Sequence, residues 1–211
     1  MTERSAVQAT SSLKLGALLK AAISRAKLDQ QVSVIAGLSQ AAKALAAVAL
    51  ARAGRGTMLL IVPNDKDVEQ ITNDARFFYR AVEGATSKAV DCAILPFPSL
   101  QVDPYREMQP HFRVTSARAR TLHAIAMGSA RLVIASVAAS LPRLNTPARI
   151  RRASLELKAG SKMEPQTLAD LLVDAGFTRE DPVDAHGEFS IRGGIVDIFP
   201  AGDIEPVRIE F

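Results

Sequence analysis

The chain of 211 residues predicts an α/β fold, a parallel sheet with helices on both faces followed by a smaller α+β domain. Three observations carry that prediction. Continuous apolar runs recur at 32–36, 57–62, 89–95 and 131–136, the pattern of strands buried on both faces. Helical spacing fills the intervals, so strand and helix alternate. Beyond residue 145 the alternation stops, and strands with strict in-out patterning surround one amphipathic helix. The expected division is therefore 1–145 and 146–211.

Taken in order, residues 11–28 place Leu15, Leu18, Leu19 and Ala22 on one stripe of an amphipathic helix. A strand follows at 32–36. The alanine-rich stretch 40–53 is a strong helix former and stops at Gly54. A second strand at 57–62 leads through Pro63-Asn-Asp into a helix to about Arg80, and 89–95 reads as the third strand. Four prolines between Pro96 and Pro110 exclude regular helix and predict an extended surface loop. Helix resumes over 115–127, a fourth strand fills 131–136, and a short helical turn capped by Ser136 ends near Pro142. In the second domain 153–158 alternates as a strand, and 164–175 is a helix with Leu168, Leu171 and Leu172 inward, closed by Gly176. The stretch from Ile191 to Phe199 reads as one strand interrupted at Gly193-Gly194, where a bulge or close backbone approach is expected. Pro200 ends it, a turn follows, and 207–211 alternates Val207, Ile209 and Phe211 against Arg208 and Glu210. That last strand reaches Phe211 without turn, cap or charged tail, so the fold is expected to continue beyond it.

Composition narrows the function classes. With 48% apolar and 23% charged residues the chain is ordinary for a globular protein. No run of eighteen apolar residues occurs and the N-terminus lacks a signal-peptide pattern, which predicts a cytoplasmic protein without a membrane partner. One cysteine, Cys92, and three scattered histidines cannot supply a Cys/His metal site, so no metal is expected. The net charge of +4 is too small to mark an obligate nucleic-acid binder. Arginine does cluster at 149, 151 and 152 and along Arg113, Arg118, Arg120 and Arg131, leaving weak DNA contact open.

The segment from Gly37 to Ala44 lies where a phosphate loop G-x-x-x-x-G-K-[ST] would, after a strand and at a helix start. Gly37 and Lys43 keep the spacing. Ala42 stands where glycine lets the backbone approach phosphate, and Ala44 where a hydroxyl holds magnesium. Nucleotide chemistry is therefore expected to be absent, whether the loop is a relic or an ordinary helix start. Ala135-Ser136 likewise replaces the acidic pair that would hold magnesium and water in an active motor. His111, His123 and His186 lie far apart in sequence, so no catalytic constellation is expected.

The remaining anomaly is Arg192, a charge within an apolar strand, with Arg208 expected on a neighbouring strand of the same hairpin. They either pair with Glu188, Glu205 or Glu210 across the sheet or face a partner. Arginine suits a partner because its planar fork accepts a carboxylate bidentately and stays charged when partly desolvated.

The run His186-Gly-Glu-Phe-Ser-Ile-Arg-Gly-Gly-Ile-Val-Asp-Ile-Phe-Pro200, continued by Pro206-Val-Arg-Ile-Glu-Phe211, resembles the UvrA-binding domain of bacterial transcription-repair coupling factors (Mfd). A looser version occurs in the repair protein UvrB. Ile94-Leu-Pro-Phe-Pro, Asp103-Pro-Tyr105, the helix start from Arg113 to Arg120 and Leu132-Val-Ile-Ala-Ser136 are similar to the start of that family, so the resemblance covers about residues 30–211. It implies a degenerate RecA-like (P-loop-type) first domain and a UvrA-interaction second domain. It also implies a role in recruiting UvrA for nucleotide excision repair at a stalled RNA polymerase. Arg192 and Arg208 match family positions implicated in the UvrA contact. A further aromatic implicated there falls beyond Phe211. RNA polymerase, most DNA contact, ATP and magnesium belong by that resemblance to a motor region outside this sequence, so no cofactor and no catalytic residue are expected here. The stretch 96–110 is too short and too poor in aromatics for the DNA-separating hairpin of UvrB. Two other readings stay open, an ATP-dependent repair helicase fragment that holds nucleotide at Gly37, and a DNA-binding module.

Overall fold

The computed structural model describes residues 17, 34–102, 110–160, 162–200, 203 and 205–211. The helix expected over 11–28 apart from residue 17, the strand start at 32–33, most of the loop at 103–109 and part of the turn at 201–204 lie outside them. The chain divides into two compact units, Met1–Ser99 with Met127–Arg143, and Leu100–Ala126 with Leu144–Phe211.

In the first unit, helix α1 (Gln40–Ala53) starts where Ser39 Oγ accepts the Ala42 N–H at 3.3 Å, and stops where the Gly54 N–H bonds Leu50 O. Arg131 closes that end by donating Nη2 to the carbonyls of Ala51 and Gly54 at 3.2 and 3.1 Å. One arginine of the expected basic cluster is thus engaged in holding a helix terminus. Strand β1 (Met58–Val62) feeds α2 (Asp65–Glu83), whose N-cap Asn64 accepts the Asp67 N–H at 2.9 Å and whose end is set by Gly84 at φ +62°. An Arg52–Glu83 ion pair joins α1 to α2. Then come α3 (Ser87–Ala93), β2 (Ile94–Phe97), β3 (Leu132–Ser136) and α5 (Val137–Ser140), while α4 (Phe112–Met127), between β2 and β3 in sequence, falls in the second unit but for its last residue. The sheet is parallel in the order β1-β3-β2, with Leu132 opposite both Met58 and Ile94.

One face of that sheet packs against α1 to α3 through Ala44, Val48, Val68, Ile71, Ile94, Leu132 and Ile134, each no more than 4% exposed. The other face is buried at Leu95, Phe97, Val133 and Ala135 but opens at Leu59 and Ile61, 55% and 52% exposed. Among the described residues the expected cover is therefore complete on one face and partial on the other.

Three local expectations are corrected. Residues 34–36 form no strand, and Val34 is 91% exposed rather than buried. The run 89–95 is helix up to Ala93, because Thr86 Oγ1 caps the Ala89 N–H and Val90 and Ala93 turn inward three residues apart. Strand then passes through Pro96, which the loop was expected to contain. β2 is an edge strand, where a missing donor is tolerated. Ser136 caps α5 as expected, accepting the Ala139 N–H at 3.2 Å.

The second unit contains α6 (Pro147–Arg152), α7 (Pro165–Asp174), and a sheet of β4 (Thr178–Arg179), β5 (Glu188–Arg192), β6 (Ile195–Ile198) and β7 (Val207–Glu210) in that order. β4 runs parallel to β5 and the rest are antiparallel. Leu168 and Ala169 of α7 bury against Phe189, Val196 and Ile198, with Leu172 and Ile209 at the margin. Leu171, expected inward, is 43% exposed because the buried stripe runs through 168, 169 and 172. Residues 154–158 have no ladder partner and form no strand, although Leu157 still packs on the core.

Gly193-Gly194 is a two-residue hairpin turn, not a bulge, so the single strand expected there is two. Gly193 sits at φ +59°, and a Cβ on Gly194 would lie 3.3 Å from the Phe211 carbonyl. Arg192 and Arg208 are consequently not on neighbouring strands. They lie on β5 and β7 with β6 between them.

Candidate partner-binding cleft

Pairing fixes which side chains share a face. Ser190 lies opposite Asp197 and Asp197 opposite Arg208, while Arg192 lies opposite Ile195. Because strand side chains alternate, Ser190, Arg192, Ile195, Asp197 and Arg208 occupy the face away from α7, and Phe189, Ile191, Val196 and Ile198 the core face. The sheet of the second unit is thus apolar toward the helix and charged toward solvent.

On the charged face lies a cleft of about 430 Å³ lined by Asp181, Pro182, Val183, Ser190, Arg192, Asp197, Pro206, Val207 and Arg208. Both sequence-selected arginines therefore border one concavity. Arg192 donates Nε to Asp181 Oδ2 at 2.8 Å and Nη2 to Asp181 Oδ1. Arg208 donates Nε to Asp197 Oδ1 at 2.7 Å and Nη2 to Oδ2 at 2.9 Å. The carboxylates are Asp181 and Asp197, not Glu188, Glu205 or Glu210. Both arginine side chains remain open to solvent, 70% and 63% exposed.

The electrostatics follow from these contacts. The hydrogen bond from Arg208 holds the Asp197 carboxyl below its ordinary value, against slight desolvation. Hydrogen bonds to Asp181 and Asp197 push the Arg192 and Arg208 guanidiniums above theirs, so both stay charged at any working pH.

Glu188 has another task. Its Oε2 accepts the N–H groups of Asp184 and Ala185 at 2.9 and 2.8 Å, closing the loop that carries Asp181 to Val183, and the Ala185 bond chiefly lowers its pKa. The same loop is anchored by Thr178 N–H to Gly187 O and Glu180 N–H to Phe189 O. His186 stacks on Phe199 with centroids 3.8 Å apart and its Nε2 meets Asp203 O at 2.8 Å. Its ring joins the loop to the end of the hairpin. His111 Nδ1 accepts the Arg113 N–H at the start of α4.

Asp197 was legible by the signal that marked Arg192, a charge inside an apolar strand. Asp181 was not, since only the fold brings it eleven residues back to Arg192. The segment from Gly37 to Ala44, expected as a degenerate phosphate loop, is far from this cleft in sequence and lies in the first unit. Gly37 has φ +77°, the Ala42 N–H is taken by Ser39, Lys43 is exposed, and Ala44 is wholly buried in the core. Among the other arginines, Arg118 is 6% exposed, Arg149 and Arg152 are exposed, and Arg151 donates to Ala126 O at 3.0 Å.

The family model described as the UvrB interaction domain matches residues 155–211, which contain the whole cleft. A transcription-repair-coupling factor of Bacillus subtilis is 33% identical over 178 residues, 84% of this chain and 14% of that protein. Those of Escherichia coli and Staphylococcus aureus (strain USA300) are 25% and 30% identical over 82% and 86% of the chain. The chain spans about one-seventh of the length of these relatives. No helix among the described residues is long and apolar enough to cross a membrane. Residues 155–211 thus match the UvrB interaction domain, and the chain is similar along most of its length to one part of bacterial transcription-repair-coupling factors.

Proposed function

We propose that the chain is the UvrA-recruiting module of a transcription-repair coupling factor, bringing UvrA to a stalled RNA polymerase held by other parts of such a protein. One observation carries the reading: Arg192 and Arg208, from strands not adjacent to one another, border the same exposed cleft. Exposed ion pairs contribute little to stability, so these charges are better suited to a partner than to the fold. Carboxylates of UvrA are the counterpart that a guanidinium fork fits best.

The first unit serves in this reading as a degenerate RecA-like scaffold without ATPase activity. The Ala44 side chain faces the core and supplies no magnesium ligand, and the first-turn amide of Ala42 is capped by the chain's own Ser39. The helicase reading needs both groups. DNA contact by this segment is at most weak, as Arg131 is engaged in closing α1 and Arg118 is buried.

Calorimetric titration of purified UvrA into the 211-residue chain is expected to give saturable binding, and titration of ATP with magnesium no heat. Absence of any UvrA binding would remove the proposal. ATP binding that disappears in Lys43→Ala would restore the nucleotide reading.

A further inference from the structure

We infer that Asp181 and Asp197 are positioning residues, each fixing one edge of an arginine so that the opposite edge is presented to a partner carboxylate. The inference rests on the reading that this cleft docks UvrA, and deepens it.

A guanidinium has five N–H donors in a rigid plane. In both Arg192 and Arg208 the aspartate occupies the side formed by Nε and Nη2. Three N–H groups are left, and one of Nη1 with the second of Nη2 point in parallel along the end of the fork. That end accepts a second carboxylate with two parallel hydrogen bonds, without displacing the first. The internal aspartate and the incoming acid thus use different edges and do not compete.

The aspartates come from separately braced backbone. Asp197 is on β6, opposite Arg208 in the ladder. Asp181 is on the loop that Glu188 and the β4 ladder hold closed. Each long arginine side chain is therefore oriented before a partner arrives, which lowers the ordering cost of binding. The four groups also act on one another: Asp197 attracts Arg192, and the two arginines repel. Two carboxylates against two guanidiniums leave the cleft without net charge. Recognition then depends on short-range forked contacts between the arginines and a pair of acidic side chains, more than on long-range attraction.

The test is a mutant cycle in the 211-residue chain, read by UvrA affinity, with amide spectra of β5 to β7 confirming the fold. Asp197→Asn and Asp181→Asn are each expected to weaken UvrA binding about 3- to 10-fold. In an Arg208→Gln background Asp197→Asn is expected to add nothing, a result that a merely structural aspartate would not give. Side-chain NMR of Arg208 Nε–Hε should lose its restricted signature in Asp197→Asn. Tighter binding by the asparagine variants would show that the aspartates compete with the partner and would overturn the inference, as would unchanged affinity or an undiminished loss in the Arg208→Gln background. A chain in which Arg192→Glu with Arg208→Glu leaves UvrA affinity intact refutes the docking reading itself, which separates the two failures.

Discussion

Reversing both arginines, Arg192→Glu with Arg208→Glu, is expected to weaken UvrA binding about a thousand-fold. An arginine at the centre of a docking surface costs about 2 kcal/mol or more on truncation, and every 1.4 kcal/mol is about tenfold in affinity. Two such losses multiply to that factor if they are independent, and like-charge repulsion against partner carboxylates adds to it. Neither residue supports the core, since both point away from α7 and are largely exposed. The circular dichroism spectrum should therefore be unchanged. The reversed chain places new carboxylates beside Asp181 and Asp197, so Arg192→Gln with Arg208→Gln is the control that removes the forks without that repulsion. It is expected to lose most of the same affinity. A variant with native spectrum and native UvrA affinity would contradict the assignment.

The second large effect is on stability. Phe189 is 1% exposed and packs with Leu168, Ala169, Val196 and Ile198 as the largest side chain in the small core under the charged sheet. Truncating a buried phenylalanine to alanine costs about 3 to 5 kcal/mol, a large share of what a domain of this size has. Phe189→Ala is expected to abolish hydrogen-exchange protection in β5, β6 and β7. Protection in β1, β3 and β2 should persist, because the core of the first unit contains none of these residues. UvrA binding should fall with the folded fraction of the second unit. Equal loss of protection in both sheets would show that the two cores unfold as one.

Where local chemistry decides an element, the sequence reading and the structure agree. Helix α1 ends at Ala53 because Gly54 follows, α2 begins after Asn64, and Ser136 caps α5. The errors have specific causes. The run 89–95 is apolar throughout, and a short apolar run has no period to separate helix from strand. Its Thr86 cap lay outside the run. The stretch 153–158 alternates correctly but finds no strand to pair with, so only Leu157 reaches the core. At Gly193-Gly194 the expected close backbone approach is present, at the Phe211 carbonyl, but the register that sets Arg192 opposite Ile195 makes the pair a turn and not a bulge.

The candidate site was half legible. Arg192 and Arg208 stood out as charges in strands, and Asp197 carries the same signal, but which acid pairs with which arginine was not legible. Asp197 required knowing that β6 lies between the two arginine strands, and Asp181 required the loop that β4, only two residues long, holds against β5. Which acid meets which arginine is a property of the fold, and it decides which edge of each guanidinium faces outward.

That outward edge is the central claim, and the most direct measurement is a structure of the chain bound to UvrA. UvrA is expected to sit over the cleft bordered by Asp181, Pro182, Arg192 and Arg208. Its carboxylate oxygens should lie within hydrogen-bond distance of Nη1 of both arginines, with the Arg192–Asp181 and Arg208–Asp197 pairs still in place. UvrA seated elsewhere on the chain, or on the cleft with both internal pairs broken, would contradict it.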